Sequence, residues 1–230
     1  MICIPVTAET QEAMLAKMER AFALADLVEL RIDGLRGVDL DRLIRARRGA
    51  VIVTNRRREE GGGFAGSEAD RIRLLIRAAL LDADYVDVEL STDEALKGEL
   101  REAVRASGGR VRLIVSAHDF ERTPPVRELE ERLRACFASG ADIAKIVAMA
   151  GAPEDNLRML RLLAGANKKG QAVVAFCMGE KGRPSRALAP LFGSRISYAA
   201  LEEGEGSAPG QWTIGEMRAL LKLLRHEAER

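Results

Sequence analysis

The chain is short of aromatic residues, of histidine and of cysteine, and it carries almost no net charge. Aromatics make up 4% of the 230 residues, too few for the stacked platforms on which single-stranded nucleic acids are held. The formal net charge is +1, from 36 basic and 35 acidic side chains, so no overall field draws nucleic acid or an anionic membrane. The arginine clusters RARR (45–48) and RRR (56–58) are short, and the first reads as the solvated end of a helix. Cysteine occurs three times, as Cys3, Cys136 and Cys177, with no C-x-x-C pair. An odd number at wide spacing argues against a disulfide framework and suits a reducing cytosol. Cys3 and Cys177 stand in apolar runs, as small buried hydrophobes do. No apolar stretch reaches membrane-spanning length, and the start MICIPVTAET lacks the basic and apolar regions of a secretory signal. The expectation is a soluble, cytoplasmic protein whose 47% hydrophobic content suffices for a full core.

What is present is alternation. Short β-rich apolar runs recur at 2–6, 27–32, 51–54, 85–90, 111–116, 142–149, 172–178 and 195–200. They begin roughly 23 to 35 residues apart, the spacing of a βαβ unit with short loops. Amphipathic helical patterns such as SEADRIRLLIRAALLD and TDEALKGELREAVRAS fill the intervals, and TIGEMRALLKLLRHEAER follows the last. Strict alternation predicts a parallel sheet covered by helices, and eight units predict a closed parallel (β/α)8 TIM barrel. No linker-like composition break appears, so residues 1–230 read as one domain. An open doubly wound sheet is the alternative. The G-x-G-x-x-G turn that favours it is missing after the first strand, which ends PVTAET.

In a barrel, alternate strand residues point inward, and functional groups gather at the carboxyl ends. That parity sends Val28, Leu30 and Ile32 toward the helices and puts Glu29, Arg31 and Asp33 on the inner face. Tyr85, Asp87 and Glu89 share the inner face of the fourth strand, Thr54 and Arg56 that of the third, and Ser116 and His118 that of the fifth. Buried charges on so many strands need partners or a ligand. Lys145 interrupts the apolar stretch ADIAKIVAMA, sharing a face with Ile143 and Val147. Desolvation alone favours a neutral amine there, which is a nucleophile.

Only two histidines exist. His226, near the end of the last helical pattern, reads as surface decoration. His118, in VSAHDF at a strand end, is a candidate general acid/base near neutral pH. An amine and an imidazole on one barrel mouth suggest imine chemistry, in which the base takes a proton from the carbon next to an iminium. The loop RRREEGGGFAG (56–66) brings Glu60 to orient His118 and Arg56 to hold an anion, while Arg57 and Arg58 are expected to face solvent. MGEKGRPSR (178–186) leaves the seventh strand where barrels build anion sites, so Arg186 suits a carboxylate or phosphate. LEEGEGSAPGQ (201–211) is a candidate lid, with Ser207 and Gln211 as its contacts.

Taken in order, VELRID, the Arg-to-EGG loop, SAHDF-x-x-TP, the ADIAK strand, MG-x-x-G-x-x-SR, FGS and SAPGQ resemble the type I 3-dehydroquinate dehydratases of the shikimate pathway, over about residues 2–225. The resemblance implies a (β/α)8 barrel, usually a homodimer, with no metal or organic cofactor. The activity it implies is that of a hydro-lyase converting 3-dehydroquinate to 3-dehydroshikimate by syn elimination. It implies Lys145 as the imine-forming residue, His118 as the base that returns a proton to the leaving hydroxyl, and Glu60 as its orienter. Glu29 and Arg31, with Arg56 nearby, resemble substrate hydroxyl contacts. Arg186 resembles the carboxylate-binding arginine, and Ser207 and Gln211 the lid residues. Asp87 and Glu89 fall on the family's acidic fourth strand. Ala117 and the arginine run depart from the family pattern without removing a catalytic group. A class I aldolase also uses a barrel lysine, but yields an aldehyde. A silent scaffold barrel is the non-enzymatic alternative.

Overall fold

A computed structural model describes residues 1–225. Strands β1 (Ile2–Thr7), β2 (Leu27–Arg31), β3 (Ala50–Thr54), β4 (Tyr85–Glu89), β5 (Arg112–Asp119), β6 (Ile143–Met149), β7 (Val173–Met178) and β8 (Ser197–Tyr198) form one sheet in the order 7-6-5-4-3-2-1-8. Every ladder is parallel. Helices α1 (Gln11–Phe22), α2 (Leu40–Arg45), α3 (Glu68–Leu80), α4 (Glu94–Ala106), α5 (Val126–Ala138), α6 (Asp155–Lys168), α7 (Arg183–Leu188) and α8 (Ile214–Arg225) alternate with them. The fold is a (β/α)8 TIM barrel. His226 lies outside the described residues.

Local chemistry sets the helix starts. Thr10, Asp39, Ser67 and Asp93 each accept a backbone N–H from the first turn of α1, α2, α3 and α4, satisfying donors that a helix cannot satisfy internally. The apolar stripes then pack on the strands. Val28 and Leu30 of β2, Val51 and Val53 of β3, and Val86 and Val88 of β4 join Met14, Leu43, Leu75 and Leu100 of the helices in one buried layer. A second, smaller cluster fills the inside of the barrel, with Leu27, Ile52, Tyr85, Ile114, Ile143, Val147 and Phe176 among its members. The polar inner-face residues sit above that plug, toward the carboxyl ends, where catalytic groups of barrels collect.

Two strands differ by more than one residue from the pattern read in the sequence. β5 continues through His118 to Asp119 because the pairing with β6 continues, His118 opposite Val147 and Asp119 opposite Ala148. The eighth strand shrinks from 195–200 to Ser197–Tyr198. Beyond Tyr198 the backbone turns to the segment ahead of α8, where the Ala200 N–H donates to Trp212 and the Ile214 N–H donates back to Ala200. At the two ends of the strand order, β7 and β8 are linked by the bond from the Arg195 N–H to the Val173 carbonyl, 2.9 Å.

Candidate active site

A cavity opens at the carboxyl ends of the strands. Its wall carries Glu29 and Arg31 from β2, Arg56 and Glu60 from the loop after β3, and His118 from β5. Lys145 enters from β6, Arg186 from α7, and Ser207 and Gln211 from the loop after β8. All the site residues singled out in the sequence therefore meet in one space. Asp87 and Glu89 are fully buried and act from behind that wall.

Register places Lys145. Glu89 is level with Ser116, Ser116 with Lys145, and Lys145 with Val174, so a polar row crosses three strands. Lys145 is 4% exposed, yet it is not a lone dehydrated amine. Its Nζ lies 3.0 Å from Asp87 Oδ2 and 3.4 Å from Glu29 Oε1, contacts that suit an ammonium. The expectation of an isolated amine is corrected in that respect: Lys145 stands between two carboxylates, Asp87 and Glu29, rather than alone in an apolar pocket.

The carboxylates are held in turn. Asp87 Oδ2 meets Arg56 Nη2 at 3.1 Å, and Glu89 Oε1 meets Arg56 Nη1 at 2.8 Å. Thr54 donates to Glu29 Oε1 at 2.7 Å, and Ser116 to Asp87 Oδ1 at 2.6 Å. Burial alone would raise Asp87, but Arg56 and Lys145 hold its carboxyl far below the usual range. Arg71 of α3, 1% exposed, closes the network at Glu89 Oε2, 2.5 Å away, and grips Glu68 at the surface. Arg56 is thus chiefly a brace, although it also reaches the cavity wall. Arg31 forks onto Asp33 at 2.7 and 3.0 Å.

His118 and Glu60 come from separate strand ends and meet with Nδ1 and Oε2 2.8 Å apart. Burial first, then Arg56 and Lys145, pushes the imidazole down to about 4, against the pull of Glu60. Burial would raise Glu60, yet the His118 ring, Ser91 and Arg56 keep its carboxyl below the ordinary range. The ionised carboxylate accepts, so Nδ1 carries the proton and Nε2 is left as a base. Arg57 departs from expectation. It is half-buried, bonding Glu59 through Nε at 3.0 Å and Ser91 through Nη1 at 2.9 Å, and Ser91 donates to Glu60 Oε1 at 2.6 Å. Arg58 is exposed, as read from the sequence.

Arg186 is 2% exposed, and it forms no ion pair with a carboxylate among the described residues. Nε and Nη1 have no hydrogen-bond partner among the described residues, and Nη2 donates to the Pro209 carbonyl at 3.2 Å. Burial lowers it to about 10, so it stays charged at neutral pH. A buried cation without a counter-charge, facing a cavity, has the chemistry to receive an anion. The 201–211 loop folds over the mouth. Pro209 O also accepts the Gly179 N–H at 3.2 Å, and within the loop Gln211 Oε1 accepts the Ser207 N–H at 2.9 Å.

Sequence reading passed over Phe176 and Tyr198, which line the same cavity. Their inward parity was available from the strand pattern, but apolar inner residues read as plug. It also passed over Arg71, whose helix pattern resembles any charged surface position.

Comparison with known proteins agrees with this geometry. The family model for type I 3-dehydroquinase matches residues 2–228. The 3-dehydroquinate dehydratase of Methanosarcina barkeri is 40% identical over 209 residues, covering 87% of this chain and 86% of its own. The crystal structure of 3-dehydroquinate dehydratase from Geobacillus kaustophilus superposes with a TM-score of 0.89 at 31% identity, over 99% of this chain and 92% of that one. A type I 3-dehydroquinate dehydratase from Clostridium difficile, solved with covalent modified comenic acid, gives a TM-score of 0.88 at 25% identity, over 99% and 92% of the two chains.

Proposed function

The chain belongs to the type I 3-dehydroquinase family, and on that premise we propose that it dehydrates 3-dehydroquinate through an imine on Lys145, with His118 as general acid/base. The observation that carries this reading is the convergence, in one cavity, of a buried lysine, a carboxylate-held imidazole and an unpaired buried arginine. Arg186 takes the substrate carboxylate, which fixes the ring. Glu29 and Arg31 face its hydroxyls, Arg56 stands nearby, and Ser207 and Gln211 close the lid.

The steps balance as a net loss of one water. Lys145 gives up a proton to Asp87, 3.0 Å away, its Nζ lone pair attacks the ketone carbon, and protons from nitrogen and Asp87 pass to the former carbonyl oxygen of the carbinolamine. Departure of water leaves a protonated imine. His118 Nε2 removes a proton from the adjacent carbon, the electron pair forming an enamine as the C=N pair moves to nitrogen. The nitrogen pair then expels the hydroxyl from the next carbon, and His118 returns its proton to that oxygen. Water hydrolyses the conjugated imine, releasing enone and restoring the amine. Proton removal and return by one imidazole require both groups on one face, which makes the elimination syn.

The family resemblance also carries a homodimer, which sedimentation equilibrium tests. For the chemistry, borohydride added during turnover is expected to leave a substrate-sized mass on Lys145. No adduct, together with undiminished turnover in Lys145→Ala, overturns the proposal. Appearance of an aldehyde instead of the conjugated enone would point to an aldolase.

A further inference from the structure

Only 4% of the residues are aromatic, yet two rings lie together inside the barrel. Phe176 of β7 and Tyr198 of β8 pack with centroids 5.9 Å apart, inclined at 55°. A cation sits on each. Lys145 Nζ stands 4.5 Å from the Tyr198 centroid, and the Arg186 guanidinium carbon 4.5 Å from the Phe176 centroid. Both rings are 4% exposed, so water does not screen either contact. The Tyr198 hydroxyl has no hydrogen-bond partner among the described residues. What Tyr198 presents to Lys145 is its ring face.

We propose that Tyr198 is a further active-site residue, its ring face holding the positive charge that Lys145 carries as a protonated imine, with Phe176 joining that ring to Arg186. The inference deepens the imine reading and rests on it. Its physical basis is a change in donors. An ammonium has three N–H bonds, enough for Asp87 Oδ2 at 3.0 Å and Glu29 Oε1 at 3.4 Å together. Condensation replaces two of them by the C=N bond, so the protonated imine has one N–H left and satisfies one carboxylate by hydrogen bonding. Contact with the π face needs no N–H, and it survives the condensation. The charge matters because it makes the adjacent carbon acidic, whereas a neutral imine is a poor electron sink. The ring also covers one side of Nζ, so the carbonyl approaches from the open cavity. Phe176 extends the floor to the arginine, coupling the site that grips the substrate anion to the site that bonds its ketone.

The test varies the ring's electron density at nearly constant shape. Tyr198→Phe is the reference, and 3,5-difluoro-, 3,4,5-trifluoro- and pentafluorophenylalanine at position 198 are compared with it, by single-turnover kcat, KM and borohydride-trapped Lys145 adduct. With melting temperatures held, kcat and adduct yield are expected to fall stepwise with fluorination, roughly tenfold at pentafluoro, with KM changing far less. A merely structural ring does not produce that gradient. A flat series with adduct still formed overturns the role of Tyr198 and leaves the imine reading standing. Absence of adduct from the unmodified enzyme overturns both.

Discussion

One carboxylate oxygen of Glu60 holds His118 at two points. Oε2 lies 2.8 Å from ring Nδ1 and accepts the backbone N–H of the same residue at 3.1 Å. The backbone contact keeps the carboxylate in place while the ring bond fixes the tautomer, so Nε2 is left as the basic atom. Glu60→Gln keeps the shape and loses the charge that steadies an imidazolium. We expect kcat to drop by about 10²-fold with KM little changed, measured from enone absorbance; a tenfold rise in KM at constant kcat would contradict this role.

Replacing His118 separates the covalent step from proton transfer. His118→Ala is expected to lose roughly 10²–10⁴ in kcat, yet still yield a borohydride adduct on Lys145, because the amine's carboxylate partners are Asp87 and Glu29 rather than the histidine. An alanine variant with full turnover would remove His118 from the mechanism.

The pH profile has a sign that follows from burial. The imidazole, driven down to about 4 by desolvation, Arg56 and Lys145, remains an unprotonated base through neutral pH. The acid limb of kcat/KM should therefore fall as pH drops through about 4, rather than through the ordinary histidine value of 6.5. A limb centred between pH 6 and 7 would refute the assignment.

Arg186→Met exchanges binding for stability. Losing the anion receptor should raise KM for 3-dehydroquinate by about 10²-fold. In the free enzyme the same change removes a buried, unpaired cation, so Tm is expected to rise by roughly 2–4 °C, which is about 1 kcal/mol in a chain of this size. Calorimetry without ligand checks the second part, and a lowered Tm would count against it.

The 201–211 loop is fastened at a glycine. Gly210 has φ +76°, and a Cβ there would stand 2.3 Å from the Gly179 carbonyl oxygen. Gly210→Ala should loosen the 201–211 loop from the mouth. We expect KM to rise and the loop to be cut faster by protease, with the substrate-free Tm changed by less than about 2 °C, since exposed loops contribute little to global stability. Unaltered KM and cleavage would mean that the loop does not fasten there.

Much of this was legible in one dimension because its physics is local or periodic. Alternation of apolar runs predicted the barrel, and the parity of β2, β4 and β6 put Glu29, Asp87 and Lys145 inside without reference to any neighbour. The strand-end position of His118, and the place of Arg186 in the helix that follows the seventh strand, were read from the barrel's polarity. Strand ends were less legible, since β5 is prolonged, and β8 cut short, by hydrogen bonds from other segments. Charge state was not legible at all. Lys145 looked like a lone desolvated amine, because its partners Asp87 and Glu29 lie 58 and 116 residues away. Arg57 looked solvated until Ser91, 34 residues on, reached it, and Arg71 looked like surface until Glu89 did. Which faces are buried is dictated by side-chain period, a property of the chain alone. Which charges are compensated depends on distances between elements remote in sequence, and only the closed barrel sets those.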